Sequence, residues 1–396
     1  MPKTSFRKNS DSPPDGALRM LVILYFHQLG YSPLEVASLF LLYEFCGVIT
    51  NLVGGWFAAH MGLNATMHFG LALQILALTM LLVEPVYLSV VYVMFAQAIS
   101  GIAKDLNKMS AKSSIKLLLP AHAQGKLYQW IALLTGSKNT IKGIGFFLGA
   151  LLLTLIGFRG TVALMAGCLT LVLLFSYVVL QKNLGKTTYK PGFSDIFSTS
   201  AAVNYLSAAR FFLFGARDIW FVIALPMFLQ EQLHWDYTDV GAFLAVWVIG
   251  YGFVQSIAPL ITGIRRGMIP DGRTAMLWSI CLATLPLIIA AMLYASWPAE
   301  KVLIIGLLGF GVVFAVNSAV HSYLIVAYAK EEGVSLDVGF YYMANASGRL
   351  IGTLLSGWVY QSSGLIACLL LSAVFIIITS IISIALPRQA DVLPAK

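Results

Sequence analysis

QKNLGKTTYKPGFSDIFSTS, residues Gln181–Ser200, is the only sizeable polar linker in an otherwise apolar chain. Before it lie apolar runs at Leu34–Ala58, Ala65–Val83, Val86–Ala103, Leu127–Ile156 and Thr161–Leu180. After it lie Ala201–Leu229, Val240–Gly263, Ala275–Ser296, Val302–Ala329, Val338–Tyr360 and Leu365–Leu386. Runs of about 20 residues suit a hydrocarbon layer of about 30 Å. The composition agrees: 59% of the 396 residues are hydrophobic and 11% charged, against about 25% charged in soluble domains. The expected fold class is an all-α polytopic membrane protein.

Five clear spans precede the linker and six follow it, so the sixth of the first half is expected at the start. There Gly16–Phe26 is apolar apart from Arg19, and its 11 residues reach only about 16 Å as a helix. Met1–Pro14 is polar and carries Pro13 and Pro14, a poor first half for a helix. The first helix is therefore expected to be truncated. The domain organisation reads as a polar segment 1–14, a helical bundle 15–180, a central loop 181–200, a second bundle 201–387 and a tail 388–396. A six-plus-six arrangement with a basic central loop resembles the layout of the major facilitator superfamily, nominally 12 transmembrane helices in two pseudo-symmetric halves.

Placing both termini in the cytoplasm puts seventeen lysines and arginines of the loops and segment ends on that side and only Arg159 and Lys301 outside. The net charge of +8 is thus spread over short loops and helix interiors, which favours membrane topology over nucleic-acid binding. Cys46, Cys168, Cys281 and Cys368 lie singly in separate runs, and the histidines lack HExxH spacing. No catalytic residue, metal site or cofactor is expected.

Six cations remain within the spans: Arg19, Lys138, Lys142, Arg210, Arg217 and Arg349. Each costs at least about 2.5–3.5 kcal/mol at a helix centre, so such residues face a cavity, a partner charge or a substrate. Lys138 and Lys142 share one helix face, as do Arg210 and Arg217, within about 20°. The carboxylates at comparable depth are Asp15, Glu44 and Asp218. They leave a surplus of about three positive charges, which suits a small organic oxyanion bound by guanidinium forks and ammonium groups.

Lys104, Lys108, Lys112 and Lys116 form a second stripe, read mainly as a solvated or headgroup-binding face. Lys104, Asp105 and Lys108 are placed at the cavity mouth. Glu44 and Asp218 are the proton-coupling candidates, with His321 a weaker one. Gly143, Gly145 and Gly149 read as helix-packing positions. Where the superfamily places a charged loop signature, Gly55–Gly62 carries Ala59 and His60 at the acidic and basic positions.

Five stretches bear a closer resemblance: DGALRM (Asp15–Met20), LLYEFCGVITNLVGGW (Leu41–Trp56), SGIAKDLNKMSAKSSIKLL (Ser100–Leu118), TGSKNTIKGIGFFLGALLL (Thr135–Leu153) and LSAARFFLFGARDIWFV (Leu206–Val222). Together they resemble the ArsJ-type organoarsenical efflux permeases of the major facilitator superfamily. The likeness runs from Asp15 to about Leu386, and the lysine-rich segment is its most specific part. The resemblance implies export of 1-arseno-3-phosphoglycerate across a bacterial inner membrane, arsenate resistance, and a functional link to a glyceraldehyde-3-phosphate dehydrogenase that makes this ester. A monomer in the lipid bilayer is expected. Alternatives are a permease for another organic phosphate or a drug, and a non-transporting membrane sensor.

Overall fold

The computed structural model describes residues 32–38, 41–84, 90–118, 123–179, 200–330 and 334–388. The expected first helix with Asp15 and Arg19, most of the central linker and the tail after Arg388 lie outside the described residues. Among the described residues the regular structure is entirely helical. In the first half, α1 is Pro33–Ser38, α2 Leu41–Met61, α3 Leu63–Met80, α4 Val90–Leu118 and α5 Gln124–Val179. In the second, α6 is Ala201–Phe221, α7 Ala224–Glu231, α8 Tyr237–Ile261, α9 Gly272–Tyr294, α10 Ala299–Tyr328 and α11 Val334–Ser383.

Two expected pairs of spans emerge as continuous helical stretches. Helix α5 runs through the expected break near residue 157, although its part from Arg159 to Val179 is by itself long and apolar enough to cross a membrane. Helix α11 holds the last two spans, turned at Gly364 with φ 75° and ψ −174°, a backbone conformation that glycine adopts without steric cost. The expected seventh span, by contrast, is divided into α6 and α7. Pro226 lacks an N–H, and in an unbroken helix its ring would crowd the Val222 carbonyl four residues back. Ser356 Oγ accepts the N–H groups of Ile223 and Ala224 at 3.3 and 3.1 Å, so the break leaves these two donors satisfied.

The largest correction concerns α4. The apolar run ends at Ala103, yet the helix continues to Leu118, because nothing between carries a proline or glycine to stop it. All four lysines of the stripe therefore stand on a rigid helix rather than a loop.

The halves meet through α2 against α11 and α5 against α8. Glycines make this approach possible. A Cβ on Gly55 would sit 2.6 Å from Ser335 O, and one on Gly339 would sit 2.8 Å from Asn51 O. One apolar cluster spans both halves at the end where α4 and α10 terminate, combining Leu106, Tyr128 and Ile131 with Val203, Ala258, Leu324 and Tyr341. A second, around Trp220, Phe310 and Phe314, fills the second half. Outward-facing Phe175, Val178, Ile305 and Ile384, each at least 62% exposed, form an apolar belt of the kind that lipid covers.

Candidate transport site

Helix α6 presents Arg210 and Arg217 on one face with Phe214 between them, and both guanidinium groups lie over its ring at 3.8 and 4.8 Å from the centroid. Their fates differ. Arg217 donates to its neighbour Asp218 at 2.6 and 2.7 Å. The second oxygen of Asp218 accepts Arg349 Nε from α11 at 3.2 Å, and Arg349 Nη2 reaches Glu44 of α2 at 2.7 Å. The result is a neutral quartet of two arginines and two buried carboxylates, and the Arg349–Glu44 contact crosses from one half to the other. Arg217 and Arg349 are therefore already charge-matched. Glu44 and Asp218, the proton-coupling candidates, both sit inside this quartet.

Arg210 is different. It is buried, donates Nε to Asn345 Oδ1 at 2.9 Å, and directs Nη1 at the Ser318 carbonyl and hydroxyl at 3.3 and 3.2 Å. All these partners are neutral. Ser318 in turn accepts from Gln255 at 3.2 Å, and Gln255 accepts from Asn139 at 2.7 Å. This polar chain runs from α5 of the first half through α8 and α10 to Arg210 on α6. Next to Arg210, His321 is wholly buried, with neither ring nitrogen hydrogen-bonded among the described residues.

The lysine stripe divides along α4. Lys108 pairs with Asp105 at 2.7 Å and lies over the Tyr342 ring at 4.2 Å, while Asn51 donates to Asp105 at 3.1 Å. Lys112 is buried, 5.1 Å from the same ring centroid, and the charges that act on it are Arg210, Lys108 and Lys138, all positive. Among the described residues neither Arg210 nor Lys112 has a carboxylate within ion-pair distance. Lys104 and Lys138 are more accessible, and the charges of both reach Asp105.

Lys116 has another task. It donates to the carbonyls of Val326, Ala327 and Ala329, capping the end of α10 from the other half. Thr262 donating to Tyr128 at 3.2 Å and Tyr323 donating to Gln124 at 3.1 Å join the halves at the same end. These contacts tie the two halves without an ion pair. His60 instead keeps a local contact of 3.0 Å with Trp56 O, and Ala59 is buried.

The stripe is expected mainly at a solvated face, whereas Lys112 packs inward, and Tyr342, Asn345, Ser318 and Gln255 join the site without having been among the expected residues. The four-residue spacing contained the clue for Lys112, since each step turns only about 40° on a helix. The neutral hydrogen-bonding residues carry no such signal. Lys142 belongs to α5, but its side chain lies outside the described residues.

The family model of the Major Facilitator Superfamily matches residues 16–269 and 206–395. A comparison with curated protein sequences gives no match. Among solved structures, the human organic anion transporter MFSD10 (TETRAN) superposes with a TM-score of 0.73 at 15% identity, covering 93% of this chain and 95% of that one. A variant of the E. coli fucose:proton symporter FucP gives 0.67 at 12% identity, with 93% and 94% covered. A bacterial homologue of the iron transporter ferroportin in the outward-facing state gives 0.67 at 14%, with 93% of each covered. At such identities the superpositions establish the fold, while the family match spans both halves. The chain belongs to the major facilitator superfamily.

Proposed function

We propose that this chain is a secondary transporter that exports an organic oxyanion by alternating access, and that the cargo is 1-arseno-3-phosphoglycerate, so that export confers arsenate resistance. The observation carrying this reading is the buried pair Arg210 and Lys112, whose charges are not balanced by any carboxylate among the described residues. A buried cation without a counter-charge is costly, and a phosphate-like oxyanion supplies that charge while accepting donors from both residues. Lys138 and Lys108 line the approach, and Arg19 and Lys142 complete the binding set. The resemblance to the organoarsenical permeases narrows the anion to the arsenylated ester and links the chain to a glyceraldehyde-3-phosphate dehydrogenase. The organic anion transporter among the fold neighbours is consistent with the charge sign of the cargo.

In a bacterial inner membrane with both termini cytoplasmic and the protein monomeric, the export direction is downhill for a polyanion. Each negative charge carried outward releases about 2.3 kcal/mol per 100 mV of inside-negative potential. Proton uptake by Glu44 or Asp218 is then unnecessary, which agrees with their engagement by Arg349 and Arg217.

The test is arsenate growth and retained arsenic in cells stripped of other arsenic exporters, expressing this chain together with the dehydrogenase. Protection that requires both proteins supports the assignment. If cells gain no protection but vesicles still move other organic phosphates, the cargo is wrong; if the folded protein moves none, the sensor reading replaces transport.

A further inference from the structure

The basic end of the second half holds a cleft that the transport site does not use. Its position is set by the Pro387 carbonyl, which accepts the Gly272 N–H at 3.1 Å and the Tyr328 hydroxyl at 3.0 Å. These bonds pin the segment after α11 across the first turn of α9. The approach is tight, since a Cβ on Gly272 would fall 2.6 Å from Leu386 O. Arg388 is thereby held on the same cleft as Arg273, with a volume of about 310 Å³ lined also by Met276, Ser383, Ile384 and Leu386.

The chemistry is two-sided. Two exposed guanidinium groups meet a wall of methionine, isoleucine and leucine, and the apolar surface continues along α9 and α11 through Leu277, Ile280 and Ile381, which are 49–60% exposed. Asp271, the acid at the start of α9, is engaged by the Thr274 N–H and hydroxyl at 2.9 and 3.0 Å. Like charges held together beside an apolar, lipid-facing track match a ligand with an anionic head and a hydrocarbon tail. Basic pockets between helices near the membrane surface bind phospholipid headgroups for this reason.

We propose that the Arg273–Arg388 cleft binds the phosphate of an anionic glycerophospholipid, with an acyl chain lying along Met276, Ile280 and Ile384. The inference requires the chain to sit in a bilayer and is independent of the cargo assigned above. It is tested on the full chain in neutral detergent by native mass spectrometry, comparing dioleoyl-phosphatidylglycerol with dioleoyl-phosphatidylcholine. Two arginines near a membrane surface correspond to about thirtyfold preference for the anionic lipid. That preference should fall to near one in R273Q/R388Q and persist in R265Q/R266Q, which removes equal charge from the neighbouring turn. Equal loss in both double variants would reduce the effect to general surface charge and overturn the site. Displacement of phosphatidylglycerol by millimolar inorganic phosphate alone would assign the arginines to a free anion and overturn the lipid. Absence of any preference in the unaltered chain would do the same.

Discussion

Removing Arg349 should destabilise the protein more than removing the glutamate it holds. Arg349 touches two acids, Glu44 at 2.7 Å and Asp218 at 3.2 Å, while Asp218 is also held by Arg217 at 2.6 Å. In Arg349→Gln, Glu44 loses the arginine charge that faces it although only 2% of its side chain reaches solvent. Breaking a buried pair in this way costs about 3–5 kcal/mol. In Glu44→Gln, Arg349 keeps Asp218 and is itself 27% exposed, so the cost should be nearer the about 1–3 kcal/mol of a lost charged hydrogen bond. The double variant removes both partners of the Arg349–Glu44 contact and should fall short of the summed single costs by about 1–3 kcal/mol. The assay is reversible unfolding in mixed micelles, with membrane insertion checked separately. Strict additivity, or a larger loss from Glu44→Gln, would refute the inter-half quartet.

Arg210→Lys preserves the charge but not the fork that reaches Asn345 and Ser318 together, so efflux of a phosphate-bearing substrate should fall about tenfold or more while the protein stays folded; unchanged efflux would remove Arg210 from the site. Lys112→Gln should abolish export without lowering the unfolding midpoint, because it removes a buried charge that has no acid partner among the described residues. A fall in stability with efflux intact would show a structural lysine instead. Gly55→Leu should prevent closure of α2 on α11, given a Cβ contact of 2.6 Å with Ser335 O; transport should stop while insertion persists, and full activity would contradict the close approach. Finally, efflux from right-side-out vesicles should accelerate under an inside-negative potassium diffusion potential and ignore a proton gradient, and the reverse pattern would restore a proton-coupled mechanism.

Much of the architecture follows from hydropathy, because a bilayer demands about 20 apolar residues per crossing and a polar linker such as Gln181–Ser200 cannot be buried in it. The same logic singled out Arg210, Arg217, Arg349 and Lys138 as charges in apolar surroundings, whatever their neighbours. Helix ends were less legible: α4 continues beyond its apolar run to Leu118, since helix propensity does not stop where hydrophobicity does.

What tertiary structure alone decided is which charges are balanced. Arg349 meets Glu44 across 305 positions of sequence, and Arg210 finds neutral partners in Asn345 and Ser318, while Arg217 meets the acid beside it. The lysine stripe likewise separates into Lys108 on Asp105, Lys112 on Tyr342 and Lys116 on the end of α10 only once the halves are docked. Sequence determines how many charges enter the membrane because insertion energy is a property of each segment. Their pairing depends on helix rotation and on the closeness of approach that Gly55 and Gly339 permit, and electrostatic attraction at about 3 Å is set by that geometry.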